Sequence, residues 1–329
     1  MIGQRVLKQL SDQGWHTGAS MGEALGIGRS AIWKQIEELR ALGLQIEADK
    51  NRGYRLLDDV ALIDVEAIHA HSKHASDFSI ETHHSIDSTN NRAMQIIQSG
   101  ELTAPFAVFA DHQSAGRGRR GRTWVSPIGR SLYFSVGWTF EQGLNELSGL
   151  SLVVAIALRR ALINEGVDSA LLKWPNDLLG SINGTDYKKL AGVLIEIQGE
   201  ATGPCSVVIG VGLNISLSDC VDDSLSAIDQ PWIDLKTLCN GASLDRNQLA
   251  ASVLEQLAAC LQMFQDVGFT PFKQAWLEGD FMFGREVSVL IGDKVAQGEH
   301  MGVDDDGNLL LAIDGVTTRF NAGEVSLRL

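Results

Sequence analysis

A glycine-rich stretch near the middle of the chain, residues 116–124 with the sequence GRGRRGRTW, carries four arginines within six positions. These arginines are Arg117, Arg119, Arg120 and Arg122. No acidic residue occurs between Asp111 and Glu141, so the neighbouring sequence offers the guanidinium groups no partner. Because a planar guanidinium donates paired hydrogen bonds to oxyanions, this Arg-Gly loop (residues 116–124) is typical of a site for polyphosphate or another dense anion. A solvated basic surface loop is the alternative interpretation.

The same loop also satisfies the G-x-G-x-x-G pattern of dinucleotide-binding folds. Such a fold requires a helix that begins at the glycines and an acidic residue about twenty positions later. Here Pro127 follows the loop closely and would break that helix, and the arginines hinder close approach of the backbone to a pyrophosphate. The pattern therefore does not indicate a dinucleotide fold. No G-x-x-x-x-G-K-[ST] sequence is present, which excludes ordinary P-loop chemistry.

Three further stretches combine charged and polar groups that could converge on this loop. Residues 173–177, KWPND, set a cation, an amide and a carboxylate around a rigid proline, an arrangement that suits the end of a strand. Lys188 and Lys189 begin an apolar strand, and either cation could neutralise charge on a transferred phosphate. Residues 87–90, DSTN, offer short donors and acceptors before a predicted helix, although N-capping is the simpler interpretation of them.

Cysteine and histidine spacing does not predict a nucleophile or a metal site. The four cysteines lie 15, 19 and 21 residues apart, so we expect free thiols rather than ligand pairs. Five histidines cluster between positions 69 and 84, but no cysteine or carboxylate follows at a metal-ligand spacing, and no metal site is predicted. Residues 304–307, DDDG, resemble the start of a calcium loop, yet Gly315 stands at position twelve, so a hairpin turn is expected.

Length and composition describe an ordinary globular protein of several domains. The 329 residues are 44% hydrophobic and 21% charged, which predicts two or three domains with substantial cores. The net charge of −14 argues against a protein that coats nucleic acid. Residues 1–60, however, hold eight basic and eight acidic residues, so the entire net negative charge falls in residues 61–329. Two chemically different parts are therefore expected.

Neither a membrane span nor a secretion signal is predicted. The longest apolar run, Leu147–Leu158, contains serines and a glycine and is shorter than the roughly 20 residues that a bilayer requires, so it indicates a buried helix. The first residues lack the apolar core of a signal peptide, which favours a cytoplasmic location and no membrane partner.

The first sixty residues have the pattern of a winged helix-turn-helix. Ser20 and Glu23 form the S-x-x-E capping box of a short helix that ends near Leu25. A turn at Gly26–Gly28 leads into a helix over Arg29–Leu42, whose apolar residues repeat every three to four positions and which Gly43 ends. Alternating residues around positions 44–47 and 54–57 predict two strands joined by a basic tip.

The second of these helices would enter a DNA groove, and the strand pair would be the wing. The candidate DNA-binding residues are Arg29, Ser30, Trp33 and Lys34 on the helix and Lys50 and Arg52 at the tip. Such a basic face requires that the acids of this unit, Glu37, Glu38, Asp58 and Asp59, lie elsewhere. A small helical cap on an enzyme is the alternative.

The remaining chain predicts two further units. Alternating strands and helices over residues 62–275 indicate an α/β layout, with strands at 106–110, 132–138, 190–197 and 207–215 and helices at 91–99, 147–163 and 247–265. Five short strands with Gly/Asp turns follow within residues 276–329 and predict a small barrel. The expected domains are therefore residues 1–61, 62–275 and 276–329.

In this order the motifs resemble those of the bifunctional biotin-protein ligase and biotin operon repressor family. The resemblance covers nearly the whole chain and is specific as a combination, although each motif is weak alone. It consists of the helix-turn-helix, residues 88–90 (STN), Gln113, the Arg-Gly loop, residues 173–177 (KWPND), residues 189–192 (KLAG) and residues 210–214 (GVGLN).

The resemblance implies a fold and a two-step reaction. A winged helix-turn-helix would precede a central α/β catalytic domain like those of biotin and lipoate ligases, followed by an SH3-like β-barrel. Biotin and ATP with Mg²⁺ would give bound biotinyl-5'-AMP, and a lysine of the biotin carboxyl carrier protein of acetyl-CoA carboxylase would then accept the biotinyl group. A homodimer bound to the biotin operator DNA would repress transcription, with biotinyl-AMP as corepressor.

The resemblance also assigns residues. Ser88, Thr89, Asn90 and Gln113 would recognise the ureido ring of biotin, and Arg117, Gly118 and Arg119 would belong to a loop that covers the intermediate. Lys189 would hold the carboxylate and the α-phosphate, Asp177 would assist the Mg²⁺-nucleotide or orient the acceptor amine, and Lys189, Arg119 and Asp177 form the catalytic set. Further ligand-binding residues would be Gly116, Arg122, Trp124 as a pocket wall, Lys173, Asn176, Asn214, and Trp232 over the adenine. Arg328 matches a basic position that approaches the nucleotide.

Two rival functions stay open at this stage. A metabolite-responsive repressor without catalysis would use the same DNA-binding module but would leave the loop arginines and Lys189 unexplained. A lipoyl or octanoyl transferase shares the catalytic fold but is not expected to carry the Arg-Gly loop or the N-terminal module. Pyrophosphate release with ATP and biotin, against lipoate as the control, distinguishes the three.

Overall fold

The computed structural model describes residues 2–72, 74–101, 103, 105–199, 202–220, 223–291, 294–321 and 325–328. Its N-terminal unit contains three helices, α1 (Ile2–Leu10), α2 (Gly18–Leu25) and α3 (Arg29–Ala41), and the antiparallel pair β1 (Ile46–Asp49) and β2 (Gly53–Leu56). Apolar side chains from all three helices meet in one small core. The predicted winged helix-turn-helix is therefore confirmed, and α1 is an additional helix.

The start of α2 differs from the sequence expectation. The side-chain oxygen of Thr17 accepts a hydrogen bond from the Ser20 backbone N–H at 3.0 Å, so Thr17 is the N-cap and Ser20 lies inside the helix. The predicted capping box at Ser20 and Glu23 is wrong because Thr17 offers the same hydroxyl acceptor one turn earlier. At the end of α3, Gly43 has φ +94°, as expected of a helix-ending glycine.

The central unit is built on a seven-stranded mixed sheet, with strand order β3-β4-β5-β9-β8-β7-β6. Among the described strands of this sheet, β3 and β4 pair in parallel and all other neighbouring strands pair antiparallel. Along the chain the elements are α4 (Val65–His71), β3 (Ser79–His83), α5 (Thr89–Ser99), β4 (Phe106–Ala110), β5 (Ser131–Phe140), α6 (Leu150–Asn164), β6 (Leu171–Lys173), β7 (Asp177–Gly180), β8 (Lys188–Gly199), β9 (Cys205–Asn214), α7 (Leu235–Leu238), α8 (Arg246–Val267) and α9 (Lys273–Gly279).

Helices cover both faces of this sheet. Phe106 and Val108 of β4 pack with α5 on one face, whereas Ala107 and Phe109 join the large core formed with α6 and α8 on the other. This alternation is the two-residue period of a strand, and it makes every side chain of β4 buried. The predicted α/β layout and all its strand and helix candidates are found, whereas β3, β6 and β7 were not predicted.

The C-terminal unit is a five-stranded antiparallel sheet with strand order β13-β12-β11-β10-β14. Its strands are β10 (Glu286–Ile291), β11 (Lys294–Val303), β12 (Leu309–Ile313), β13 (Val316–Phe320) and β14 (Val325–Arg328). Asp304 accepts backbone hydrogen bonds from Asp306 and Asn308, which makes residues 304–308 the predicted hairpin turn. Arg328 pairs with Ser288 through the backbone, and its side chain lies outside the described residues.

The three units are joined by direct contacts. Ile128 of the central unit packs in the N-terminal core, and Arg130 forms a buried ion pair with Asp58. On the other side, Trp174 Nε1 donates to the Gly307 carbonyl at 3.1 Å, which connects the KWPND segment to the C-terminal hairpin turn. Among the described residues, no helix is long and apolar enough to cross a membrane.

Candidate functional site

A cavity of about 470 Å³ opens where the Arg-Gly loop, the start of α5 and strands β8 and β9 meet. It brings together every ligand-binding residue predicted from the sequence except Gly116. These lining residues are Ser88, Thr89, Asn90, Gln113, Arg117, Gly118, Arg119, Arg122, Trp124, Lys173, Asn176, Asp177, Lys189, Asn214 and Trp232. Gly116 lies beside the cavity, where its carbonyl accepts the Trp124 N–H at 2.9 Å and closes the loop.

One group of lining residues carries neutral hydrogen-bonding side chains. Gln113 Oε1 accepts from the backbone N–H of Thr89 at 2.9 Å, and Gln113 Nε2 donates to Ser126 Oγ at 3.2 Å. Ser135 Oγ lies 2.6 Å from Asn90 Oδ1 and fixes that amide. The buried Ser88 makes no side-chain capping bond, so the simpler N-capping interpretation of this segment is wrong, because Gln113 satisfies the free N–H instead.

Two glycines of β9 allow this close packing. A methyl group at Gly210 would lie 2.0 Å from Asn90 Oδ1, and one at Gly212 would lie 2.3 Å from the Trp124 indole. Strand residues 210 and 212 share one face of the sheet. Any larger side chain at either position would displace Asn90 or Trp124 into the cavity. The GVGLN segment therefore shapes the cavity floor by the absence of side chains.

A second group of lining residues is cationic. Lys189 Nζ lies 2.9 Å from Asp177 Oδ1 and 5.3 Å from the centre of the Trp124 ring. Lys188 points away from the cavity and pairs with Asp186 at 3.1 Å. Successive strand residues face opposite sides, so only one of the two lysines can serve this site. The irregular register between β7 and β8 at residues 189–191 interrupts the alternation and puts Lys189 on the same side as Gly192. The geometry favours Lys189.

Arg119 reaches from the Arg-Gly loop to the KWPND segment. Its Nη1 donates to Asn176 Oδ1 at 2.9 Å, and Asn176 Nδ2 donates to the Val193 carbonyl at 2.7 Å. Burial lowers the pKa of the Arg119 guanidinium, and the neighbouring Arg120 acts in the same direction. Desolvation of this kind strengthens the attraction of a cation for a bound anion.

Arg120 and Arg122 occupy the exposed part of the loop. Arg120 has φ +57°, and the Gly118 N–H donates to the Arg122 carbonyl at 2.7 Å, so the loop backbone has a defined turn. In the part of the chain that the structure describes, neither guanidinium forms an ion pair. Two cations at the cavity mouth thus face solvent or an incoming anion.

Residues 227–232 form the remaining wall. The Lys189 N–H donates to the Pro231 carbonyl at 3.0 Å, which places Trp232 beside β8 at the cavity edge. Asn214 Nδ2 donates to the Ile233 carbonyl at 3.1 Å and holds this wall. Part of the acidic stretch before it, including Asp222, lies outside the described residues.

Sequence reasoning missed three residues that support the site: Ser126, Ser135 and Glu196. Glu196 accepts hydrogen bonds from Asn90 Nδ2 and Arg117 Nη2. Ser135 is a buried polar residue in an otherwise mostly apolar strand, and Glu196 is a carboxylate in the apolar run of β8. A polar residue in a buried strand is a usable signal, because burial without a partner would be unfavourable.

The described histidines, cysteines and carboxylates bear on the expectations about metal and thiol chemistry. Among the residues that are described, no three His, Cys, Asp or Glu side chains are arranged to hold a metal ion. None of the four cysteines is joined in a disulfide, and Cys205 and Cys260 are buried.

The six predicted DNA-binding residues are all exposed in the N-terminal unit. Arg29, Ser30, Trp33 and Lys34 project from the first two turns of α3, and Lys50 and Arg52 lie in the β1–β2 connection. The Arg52 guanidinium stacks on the Trp15 ring at 4.0 Å.

Two of the four acids expected to lie elsewhere, Asp58 and Glu37, are paired with arginines outside the predicted DNA-binding set. Asp58 is buried against Arg130, and Glu37 pairs with Arg40 at 2.8 Å. Glu38 lies 3.9 Å from Lys34, whereas Asp59 is exposed. The requirement that these acids lie elsewhere is therefore met for Asp58 and Glu37 but not for Glu38, which partly offsets the charge of Lys34.

Comparison with known proteins covers all three units. The biotin/lipoate A/B protein ligase family matches residues 83–214, an HTH domain matches residues 4–55, and the biotin protein ligase C-terminal domain matches residues 282–328. The bifunctional ligase/repressor BirA of Salmonella typhimurium is 38% identical over 98% of this chain and 96% of its own. That of Bacillus subtilis is 28% identical over 94% of this chain and 93% of its own. The structure of the Aquifex aeolicus biotin protein ligase in complex with biotin and ATP superposes with a TM-score of 0.63 at 26% identity, covering 76% of this chain and 98% of that one.

Proposed function

This chain belongs to the bifunctional ligase/repressor family, and we propose that the cavity beneath the Arg-Gly loop carries out both steps of biotin transfer. The protein is an ATP-dependent biotin-protein ligase and a DNA-binding repressor. The observation that carries the residue assignments is that one cavity is lined both by neutral hydrogen-bonding groups and by cations. Biotin has a matching polarity, with a neutral ureido ring and a carboxylate.

In the first step, the biotin carboxylate attacks the α-phosphorus of ATP and pyrophosphate leaves, which yields biotinyl-5'-AMP. Thr89, Asn90 and Gln113 orient the ureido ring through directed hydrogen bonds. Lys189 lies against the reacting carboxylate and α-phosphate, where its fixed charge stabilises the developing negative charge. Arg120 and Arg122 at the mouth attract the pyrophosphate portion.

In the second step, the amine of an acceptor lysine attacks the biotinyl carbonyl and AMP leaves. The mixed anhydride must be protected from water until then, and the Arg-Gly loop with Arg117, Gly118 and Arg119 covers it. Asp177 orients the acceptor amine or assists the Mg²⁺-nucleotide. The acceptor is the biotin carboxyl carrier protein of acetyl-CoA carboxylase.

Mg²⁺ fits this site as a companion of the nucleotide rather than as a resident metal. It is usually held by one or two carboxylates together with substrate phosphates, and Asp177 and Asp229 are the carboxylates on the cavity wall. When bound, Mg²⁺ neutralises phosphate charge. The adjacent Trp232 covers the adenine, and Lys173, Asn176 and Asn214 complete the nucleotide side.

Pyrophosphate release is the test of the ligase assignment. The purified protein, mixed with ATP and Mg²⁺, should release pyrophosphate with biotin and not with lipoate. Release with lipoate instead would indicate a lipoyl ligase, and release with neither would indicate a metabolite-responsive repressor without catalysis.

The repressor acts as a homodimer on paired half-sites of the biotin operator, and biotinyl-AMP promotes dimer formation. One neutral winged helix on an acidic body binds DNA weakly, because affinity depends on phosphate neutralisation. Two linked modules overcome this through effective concentration. Fluorescence anisotropy with operator DNA should show tight binding only when biotin and ATP are both present. Equally tight binding without them would contradict the corepressor role and leave the ligase function intact.

A further inference from the structure

Glu196 in strand β8 forms hydrogen bonds with two separate parts of the site. One oxygen of its carboxylate, Oε2, accepts from Asn90 Nδ2 at 2.8 Å and from Arg117 Nη2 at 2.6 Å. Asn90 belongs to the cavity floor at the start of α5, whereas Arg117 belongs to the covering loop. The Glu196 carboxylate thus accepts hydrogen bonds from both Asn90 and Arg117.

The position of Glu196 along β8 follows from the strand period. Gly192, Leu194 and Glu196 lie on the same face, and the first two line the cavity. In the β8–β9 register, Leu194 is opposite Gly210, the glycine against which Asn90 packs. Glu196 therefore lies two residues beyond Leu194, just outside the cavity wall and next to the side-chain amide of Asn90.

The orientation of Asn90 depends on this carboxylate. Ser135 Oγ lies 2.6 Å from Asn90 Oδ1, and Glu196 accepts from Asn90 Nδ2. An ionised carboxylate can only accept, so it specifies which side of the amide carries the N–H groups. Without it, the amide of Asn90 could rotate and present the wrong group to the ureido ring.

The ion pair with Arg117 adds a second effect. The Arg117 side chain is 41% exposed and lies in a loop far from Glu196 in sequence. An exposed ion pair contributes little to global stability because solvent screens it and long side chains lose entropy. The effect of the ion pair is local, because it holds the Arg-Gly loop close to Asn90. Since Arg117 is paired with Glu196, Arg120 and Arg122 are the exposed loop arginines that remain available for the polyphosphate.

We propose that Glu196 is a positioning residue for biotin, which aligns Asn90 with the ureido ring and holds Arg117 of the covering loop above it. The inference rests on the proposed ligase activity. If the wild-type protein released no pyrophosphate with biotin, the proposed function would fail. If the wild type is active and the Glu196 variants behave like it, only this inference fails.

The experiment compares Glu196→Ala and Glu196→Gln with the wild-type protein. Glu196→Ala should raise the KM for biotin about tenfold, since it removes a charge-assisted hydrogen bond, while the KM for ATP and the kcat at saturating biotin change less than about twofold. Glu196→Gln keeps an acceptor oxygen for Asn90 but removes the charge facing Arg117, and should give an intermediate KM. Equal rises in the KM values for biotin and ATP would contradict the assignment.

Glu81→Ala is the matched control. The Glu81 carboxylate in β3 is 25% exposed, against 29% for Glu196, and accepts from Arg92 Nε at 2.8 Å. Arg92 belongs to α5, the same helix that begins at Thr89 and carries Asn90. Removal of the Glu81 carboxylate therefore takes away a comparable anchor of α5 outside the cavity. The KM for biotin should remain as in the wild type; a tenfold rise here as well would reduce Glu196 to a general support of the helix.

A double-mutant comparison tests the link to the loop. In an Arg117→Ala protein, the further change Glu196→Ala should raise the KM for biotin by a smaller factor than it does in the wild type, because one of the two hydrogen bonds to Glu196 is already absent. Independent, multiplicative effects would show that Glu196 does not act through Arg117.

Discussion

The cavity beneath the Arg-Gly loop and the winged-helix surface both carry cations, but they hold those cations differently. In the cavity, Lys189 is paired with Asp177 and Arg119 is bonded to Asn176 before any ligand arrives. On the winged helix, Arg29 and Lys50 are exposed and form no ion pair with a described residue, while Lys34 and Arg52 have acidic partners only at 3.9 and 3.7 Å. Chemistry at one phosphorus atom requires fixed geometry, whereas attraction to many phosphates requires only charge at the surface.

The strongest impairment is expected from substitution of Lys189. Lys189→Ala should lower the rate of biotinyl-AMP formation by roughly 10²- to 10³-fold, as for the removal of one preorganised electrostatic group. Lys188→Ala should lower it less than about threefold, because Lys188 pairs with Asp186 outside the cavity. Single-turnover pyrophosphate release measures both rates. Similar decreases for the two variants would contradict the assignment of Lys189, and not Lys188, to the reacting groups.

Substitution of Arg119 should act mainly on retention of the intermediate. Arg119→Ala should release biotinyl-AMP about 10 to 100 times faster, since one charge-assisted hydrogen bond is worth about 1.5–3 kcal/mol. Thermal stability should hardly change, because the loop contributes little to the hydrophobic core. The release rate of labelled adenylate and a melting curve are measured on the same sample. Unchanged release together with a strongly lowered Tm would show that the loop is structural.

The C-terminal unit should also affect the position of the KWPND residues that line the cavity, because the Gly307 carbonyl accepts a hydrogen bond from Trp174. Gly307 has φ +75°, and a methyl group on it would lie 2.8 Å from the Gly149 backbone. Gly307→Ala should shift the carbonyl that accepts from Trp174 Nε1, displace the KWPND segment and raise the KM for ATP about tenfold.

Gly315→Ala provides the control for that variant. Gly315 has φ +79° and lies in the same unit, but nothing is within 4 Å of an added methyl group. Both variants therefore share the backbone strain of a left-handed alanine, which costs about 1 kcal/mol. Only Gly307→Ala should change the KM for ATP. A matching change in Gly315→Ala would attribute the effect to general destabilisation.

The mildest impairment is expected on the winged helix. Lys50→Ala should weaken operator binding only several-fold and lower the slope of log affinity against log salt concentration by about 0.9 for each phosphate that is no longer neutralised. Lys8→Ala is the control, because Lys8 is an exposed lysine of α1 outside the proposed DNA-binding face. A hundredfold weakening by Lys50→Ala at moderate salt would show that this surface holds its cations as rigidly as the cavity does.

Patterns within the amino-acid sequence were sufficient to locate most elements and to name the candidate groups. Helix periodicity and turn glycines located α3, the wing and the strands of the C-terminal sheet, because these signals depend on neighbours a few residues away. The Arg-Gly loop and the KWPND segment identified the charged groups of the cavity by type. Short-range rules were less reliable at helix starts: Thr17 rather than Ser20 caps α2, since several hydroxyls can serve.

Which groups act together depends on the three-dimensional packing of the chain. Glu196 meets Arg117 across 79 positions and Asn90 across 106, a pairing that no local pattern indicates. Lys189 and Asp177 become partners because β7 and β8 are paired antiparallel at that point of the sheet. Strand pairing and close packing bring distant residues together, and with them the hydrogen bonds that give each side chain one orientation.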